Sequence, residues 1–155
     1  MSVPDVWNLF GKGHLPYRLL LLARMIERES QRNIQEKFGL ALADWRLLAI
    51  ATSICPCTAS EISEAGEIDR AEISRAMQRL EPMGLLTRKP DPQHGKRLII
   101  EATPAGEELA EKVKVDRRAF FDTIMSGLSG EERGAIDAQL KVMAENLLRS
   151  CDHGN

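Results

Sequence analysis

The sequence predicts a mainly α fold with a small β-hairpin wing, a winged helix-turn-helix flanked by long helices. Three observations predict it. Between Asp69 and Leu80, apolar Ile73, Ala76, Met77 and Leu80 fall in one stripe at helical spacing, with a polar, cationic face opposite. Pro82 and Gly84 then stop that helix, and two strand-like runs follow, Leu85–Lys89 and Arg97–Ala102, around the turn Asp91–Gly95. Longer periodic segments lie on both sides of this unit, more apolar than so small a module can cover by itself.

Taken in order, residues 1–14 show little helical periodicity yet carry Val6, Trp7, Leu9 and Phe10, so this segment is expected to pack on something, a partner subunit included. Gly11-Lys12-Gly13 lacks the second glycine and the Ser/Thr of a phosphate loop. Leu15 to Phe38 reads as a long helix broken by Gly39, and Ala43 to Ile54 as a second, with Trp45, Leu48, Ala49 and Thr52 spaced for burial. Cys55-Pro56-Cys57 is a loop, because proline blocks helix continuation and restricts the residue before it.

Thr58 with Glu61 is a capping box, each side chain able to satisfy an orphan amide of the first turn, and it opens a short helix through Ile62 to Ala65. Gly66-Glu67-Ile68 is the turn into the next helix, which Asp69 and Glu72 are expected to cap in the same way. After the hairpin, Thr103 caps and Pro104 takes a first helical position, where its missing donor costs nothing. Leu109, Val113, Phe120, Ile124 and Leu128 follow a helix running to about Ser126. Ser129 with Glu132 is a third capping box and opens the last helix. There Ile136, Leu140, Met143, Leu147 and Cys151 recur almost as a heptad seam, which suits packing against another helix. Burial between two copies of the chain is the economical way to cover it.

A chain of 155 residues with 43% hydrophobic content fits one domain, 1–155. Within it, about 40–103 is the winged module and about 1–38 and 104–155 form a helical dimerisation region. The longest aliphatic run, Leu19 to Ala23, is flanked by Arg18 and Arg24, so no secretory or membrane-spanning segment is expected. Three cysteines and no glycosylation sequon fit a reducing cytoplasm. The net charge of −2 does not by itself suggest a nucleic-acid partner, but its distribution does. From Asp69 to Arg97 there are seven Lys/Arg against four Asp/Glu, and from Glu101 onward seven against eleven. A basic segment on an acidic body is what backbone contact requires, although on the local balance of +3 alone a solvated surface with uneven charge is the favoured reading.

Ile73-Ser-Arg-Ala-Met-Gln-Arg-Leu80, Leu85-Leu-Thr-Arg88 and Thr103-Pro-Ala-Gly106, with Phe38 to Leu48 upstream, resemble the MarR family of bacterial transcription regulators over roughly residues 15 to 150. The wing departs from the family's Asp-Arg-Arg run, having His94-Gly95-Lys96, and Ala41 stands where relatives have a capping threonine. The resemblance implies a two-fold dimer with interleaved termini, one winged module per subunit, and a small-molecule effector that changes the separation of the two reading helices.

The residues expected at double-stranded DNA are Ser60, Arg70, Ala71, Ser74, Arg75, Gln78 and Arg79, with His94, Lys96 and Arg97 from the wing. Ser74, Arg75 and Gln78 can hydrogen-bond base edges, whereas a protein-binding winged module, the alternative reading, calls for aromatic or aliphatic anchors on that face. Arg18 and Arg46 are candidates for an effector carboxylate and Trp45 for a ligand platform, against the commoner readings of solvated or salt-bridged arginines and a core tryptophan. No catalytic constellation, cofactor motif or metal-ligand spacing is present: His14, His94 and His153 are scattered, and Cys55 and Cys57 read as small loop-filling thiols before a redox pair or half a metal site.

Overall fold

Short-range side-chain chemistry sets where several helices begin. Thr58 and Glu61 form the reciprocal box, the Glu61 amide donating to Thr58 Oγ1 at 3.3 Å and the Thr58 amide to Glu61 at 2.7 Å. Ser129 and Glu132 repeat it at 3.2 and 2.7 Å. Asp69 differs from the expected box. Its carboxylate alone accepts from the Ala71 and Glu72 amides, at 2.7 and 2.9 Å, and among the described residues Glu72 makes no return bond. A carboxylate has lone pairs enough for both amides, so the second half of the box is dispensable.

The computed structural model describes residues 3–95 and 97–152, with side chains described through Ser150. A short 3-10 helix, Asp5–Asn8, precedes α1 (Leu15–Phe38), α2 (Leu42–Ile54), α3 (Ala59–Gly66), α4 (Arg70–Leu80), β1 (Leu86–Pro90), β2 (Leu98–Ala102), α5 (Pro104–Ile124) and α6 (Gly130–Asp152). β1 and β2 pair antiparallel with Leu86 opposite Ala102 and Pro90 opposite Leu98. The expected boundaries hold to within one or two residues, and the mainly α fold with a hairpin wing is the one found. The 3-10 turn in the N-terminal segment does not follow from the sequence, because four residues are too few to show a period.

The chain divides into two compact units, Met1–Val113 and Lys114–Asn155. The division falls inside α5, because Ala110 and Val113 belong to the core of the first unit. That core is centred on Ile34, Leu47, Leu48, Ile62, Ile73, Met77, Leu80 and Leu86, all almost fully buried. Each such side chain contributes roughly 1.5–3 kcal/mol of hydrophobic stabilisation. The α4 stripe read from the sequence, Ile73, Ala76, Met77 and Leu80, is the buried face of α4.

Two local features fix the module. Ala41 offers α2 no side-chain cap, and Gln31 of α1 supplies the acceptor instead, taking the Leu42 amide at 3.0 Å. At the start of α5, Thr103 Oγ1 accepts from the Gly106 amide at 3.0 Å and its hydroxyl donates to the Gly84 carbonyl at 2.6 Å. Gly106 is required there, since a Cβ would lie 2.0 Å from the Leu85 carbonyl oxygen. In the second unit, Arg133 ties the start of α6 to the end of α5 through the Met125 and Leu128 carbonyls at 2.9 and 3.1 Å. Ile136, Leu140 and Leu147, members of the sequence seam, are exposed in the chain, while Met143 is half-buried; the Cys151 side chain lies outside the described residues. No helix among the described residues is long and apolar enough to cross a membrane.

Candidate nucleic-acid interface

α3 and α4 are joined by Glu67 in the left-handed region, φ 49°, and Ile68, which is buried. The sequence points to Gly66-Glu67-Ile68 for this turn. Gly66 instead ends α3, where a Cβ would meet Ile50 Cδ1 at 2.3 Å, and the positive φ falls on its neighbour. α4 therefore leaves α3 with its apolar stripe on the core and its opposite face in solvent. Arg70, Ala71, Ser74, Arg75, Gln78 and Arg79 are all exposed, as is Ser60 on α3.

These residues differ in what holds them. Arg70 donates to Ser60 Oγ at 3.1 Å, which binds the first turn of α4 to the first turn of α3. Arg79 turns back to α2, where its Nε donates to both oxygens of Asp44 at 2.8 and 3.0 Å and its Nη2 adds a third bond. Asp44 is 4% exposed, so this guanidinium braces α4 against α2 in preference to reaching outward. Hydrogen bonding to Asp44 raises the Arg79 pKa above its ordinary value, so the cation is permanent. Ser74, Arg75 and Gln78 form no hydrogen bond or ion pair with any described residue (they are the part of the helix left to solvent), although the Arg75 charge helps lower the Asp69 carboxyl.

The wing is built to the same plan. Its turn is closed by the Asp91 amide on the Arg97 carbonyl at 2.8 Å, the Arg97 amide on the His94 carbonyl at 2.7 Å, and the Gln93 amide on the Asp91 carboxylate at 2.8 Å. His94 is exposed at the tip. Arg97 reaches α3, with Nη2 3.4 Å from Thr58 Oγ1 and 3.7 Å from Glu61. Bonds from Thr58, with a smaller contribution from Arg97, hold the Glu61 carboxyl below the usual carboxylate range. Arg88 pairs with Glu81 just beyond α4, and Lys89 with Glu101 across the hairpin. Lys96 lies outside the described residues.

The charge count from the sequence is thereby redistributed. Of the seven cations between Asp69 and Arg97, Arg79, Arg88, Lys89 and Arg97 each face a carboxylate. Arg70 faces a neutral hydroxyl, and Arg75 alone among the described ones has neither hydrogen bond nor ion pair. Sequence patterning does not single out Asp44, Glu81 or Glu101 as site residues. A partner 35 positions away leaves no local signal.

The effector candidates are dispersed over other contacts. Arg18 donates to the Trp7 carbonyl at 3.3 Å and Asn8 Oδ1 at 2.6 Å, with its guanidinium 5.6 Å from the Trp7 ring, and so fastens the N-terminal segment to α1. Arg46 donates to Glu27 of α1 at 2.8 Å. Trp45 is half-buried against the core. No hydrogen bond or ion pair joins one of them to another among the described residues.

The MarR family profile matches residues 38–97, from the end of α1 to the edge of β2. An uncharacterized HTH-type transcriptional regulator of Bacillus subtilis, YdgJ, is 24% identical over 70% of this chain and 66% of its own length. The HTH-type transcriptional repressor IacR of Pseudomonas putida is 23% identical over 89% of this chain and 83% of its own. In structure, the MepR–DNA complex of S. aureus superposes with a TM-score of 0.78 at 22% identity, covering 88% of this chain and 99% of that one. At that identity the likeness establishes the fold.

Proposed function

We propose that this chain is a MarR-type transcriptional regulator, a homodimeric repressor that occupies a palindromic promoter site and leaves it when a small-molecule effector binds. The observation that carries DNA reading is the outer face of α4. Its inner face is locked by four buried residues and the Asp44–Arg79 brace, while Ser74, Arg75 and Gln78 stand exposed with no bond to any described residue. Those three offer hydrogen bonds suited to base edges, and no aromatic or aliphatic anchor shares their face, which weighs against a protein-binding module. MepR, whose structure superposes on this chain, is in complex with DNA, and the repressors IacR and NicR are among the relatives. Dimerisation is supported by the exposed seam of α6 and by Val6, Leu9 and Phe10, between 44 and 62% exposed. Effector release is supported by the family resemblance alone.

The test is a fluorescence-anisotropy titration of the full chain with the DNA immediately upstream of its own coding region and with shuffled DNA of equal length, followed by footprinting. The expected result is preferential binding and protection of an inverted repeat whose half-site centres lie about one helical turn, roughly 10 base pairs, apart or a multiple of that. Equal affinity for both DNAs, or protection of one asymmetric half-site, overturns the proposal.

A further inference from the structure

The loop between α2 and α3 holds two thiols that the proposed function does not use. Cys55 Sγ and Cys57 Sγ lie 4.0 Å apart, and both sulfurs converge on the Ile100 carbonyl of β2, at 3.4 and 3.9 Å. Cys57 is fixed there by paired backbone bonds, its amide to the Ile100 carbonyl at 3.1 Å and the Ile100 amide to its own carbonyl at 2.7 Å. It is 2% exposed, whereas Cys55 is half-buried and leaves one side of the pair open.

Separation distinguishes what two such sulfurs can do. At 4.0 Å the two thiols are in hydrogen-bond contact, and a disulfide between residues two apart around a proline is strained. Two metal–thiolate bonds of about 2.3 Å put the sulfurs roughly 3.8 Å apart at a tetrahedral angle and roughly 4.6 Å apart when collinear. The observed 4.0 Å lies inside that range without any backbone movement. Among the described residues no group of three or more His, Cys, Asp or Glu could hold a metal, so the four ligands of a zinc site are not assembled. Two-sulfur coordination with no harder ligand selects a soft monovalent cation. We propose that Cys55 and Cys57 form a two-thiolate site for a soft monovalent cation of the Cu(I) class. Binding forms two S–Cu bonds, breaks two S–H bonds and releases two protons to solvent, with no change of oxidation state. Loading also withdraws both S–H donors from the Ile100 carbonyl, so the site is wired to a wing strand.

The experiment titrates the reduced full chain anaerobically against Cu(I) held by a chromogenic chelator, with no DNA present, so its outcome is independent of the DNA-binding proposal. One equivalent per chain is expected to transfer from the chelator to the protein and to Cys151→Ser, and none to Cys55→Ser or Cys57→Ala. Circular dichroism checks each fold; should the buried Cys57 variant unfold, Cys55→Ser decides. Failure of the parent chain to draw Cu(I) from the chelator overturns the proposal, as does full uptake by Cys55→Ser. Zn(II) presented with a zinc indicator should not be taken up, and stoichiometric uptake lost in Cys55→Ser would replace the soft two-thiolate site with a different one.

Discussion

Replacing Arg79 with methionine would keep most of the apolar stem but remove every donor from the Asp44 carboxylate, which is 4% exposed. Removing one partner of a fully buried pair costs about 3–5 kcal/mol, and breaking an exposed pair about 0–1. This pair is intermediate, since the Arg79 side chain is 47% exposed and water can follow the departing guanidinium to the carboxylate. A loss of about 2–3 kcal/mol is expected for Arg79→Met, interpolated between those limits. Asp44→Asn retains one acceptor oxygen and should cost about 1 kcal/mol. The double variant should be less destabilised than the sum of the singles, by a coupling of about 1–2 kcal/mol. Urea unfolding followed by circular dichroism measures all four proteins, at one fixed concentration because a dimer's midpoint depends on it. With a slope of about 1–3 kcal/mol per molar, the Arg79→Met midpoint should fall by roughly 1–2 M. A coupling below about 0.5 kcal/mol would place the pair with ordinary surface ion pairs and refute its role as the brace of α4.

Other consequences are as direct. Arg75→Ala should lower affinity for the operator by about 1–3 kcal/mol and affinity for random DNA far less, as titrations of both DNAs will show; equal losses would remove Arg75 from base reading. Gly106→Ala sets a methyl 2.0 Å from the Leu85 carbonyl oxygen, so the α5 start must move and stability should fall by about 1–3 kcal/mol in thermal unfolding. Truncation before Glu131 removes the exposed α6 seam, and light scattering should report loss of the proposed dimer. The Glu61, Asp69 and Glu132 carboxyls are held below their ordinary values by cap hydrogen bonds. Their contribution is therefore fully present above the ordinary carboxylate pKa of about 4 and is lost as pH falls through the lowered values. Removing the Thr58 cap hydroxyl with Thr58→Val should make the acid limb of a stability–pH profile shallower.

What could be read beforehand was what is local in the chain. The Thr58–Glu61 and Ser129–Glu132 boxes need two residues three apart, and the α4 stripe needs four residues at one period, so all are written in adjacent letters. The outward set of α4 follows by subtraction. Contacts that decide what a charged side chain does are not local. Asp44 meets Arg79 across 35 positions, Gln31 replaces the missing cap at Leu42 across 11, and Thr58 meets Arg97 across 39. A count of Lys and Arg could register their number and not their occupation. Cys55 and Cys57 show the same limit at short range, because the Ile100 carbonyl that gathers both sulfurs comes from a strand more than forty residues on.

That pairing of cations has a kinetic consequence for the proposed regulator. Each phosphate contact made by a free cation adds about 0.9 to the salt slope of duplex binding and lengthens every visit to irrelevant sequence. Between Asp69 and Arg97, four of the seven cations are already matched to carboxylates of the protein itself. A reading head furnished in this way would hold non-cognate DNA briefly. Its search should proceed by many short visits in place of long one-dimensional slides, and its residence time at the operator should come chiefly from base contacts on α4.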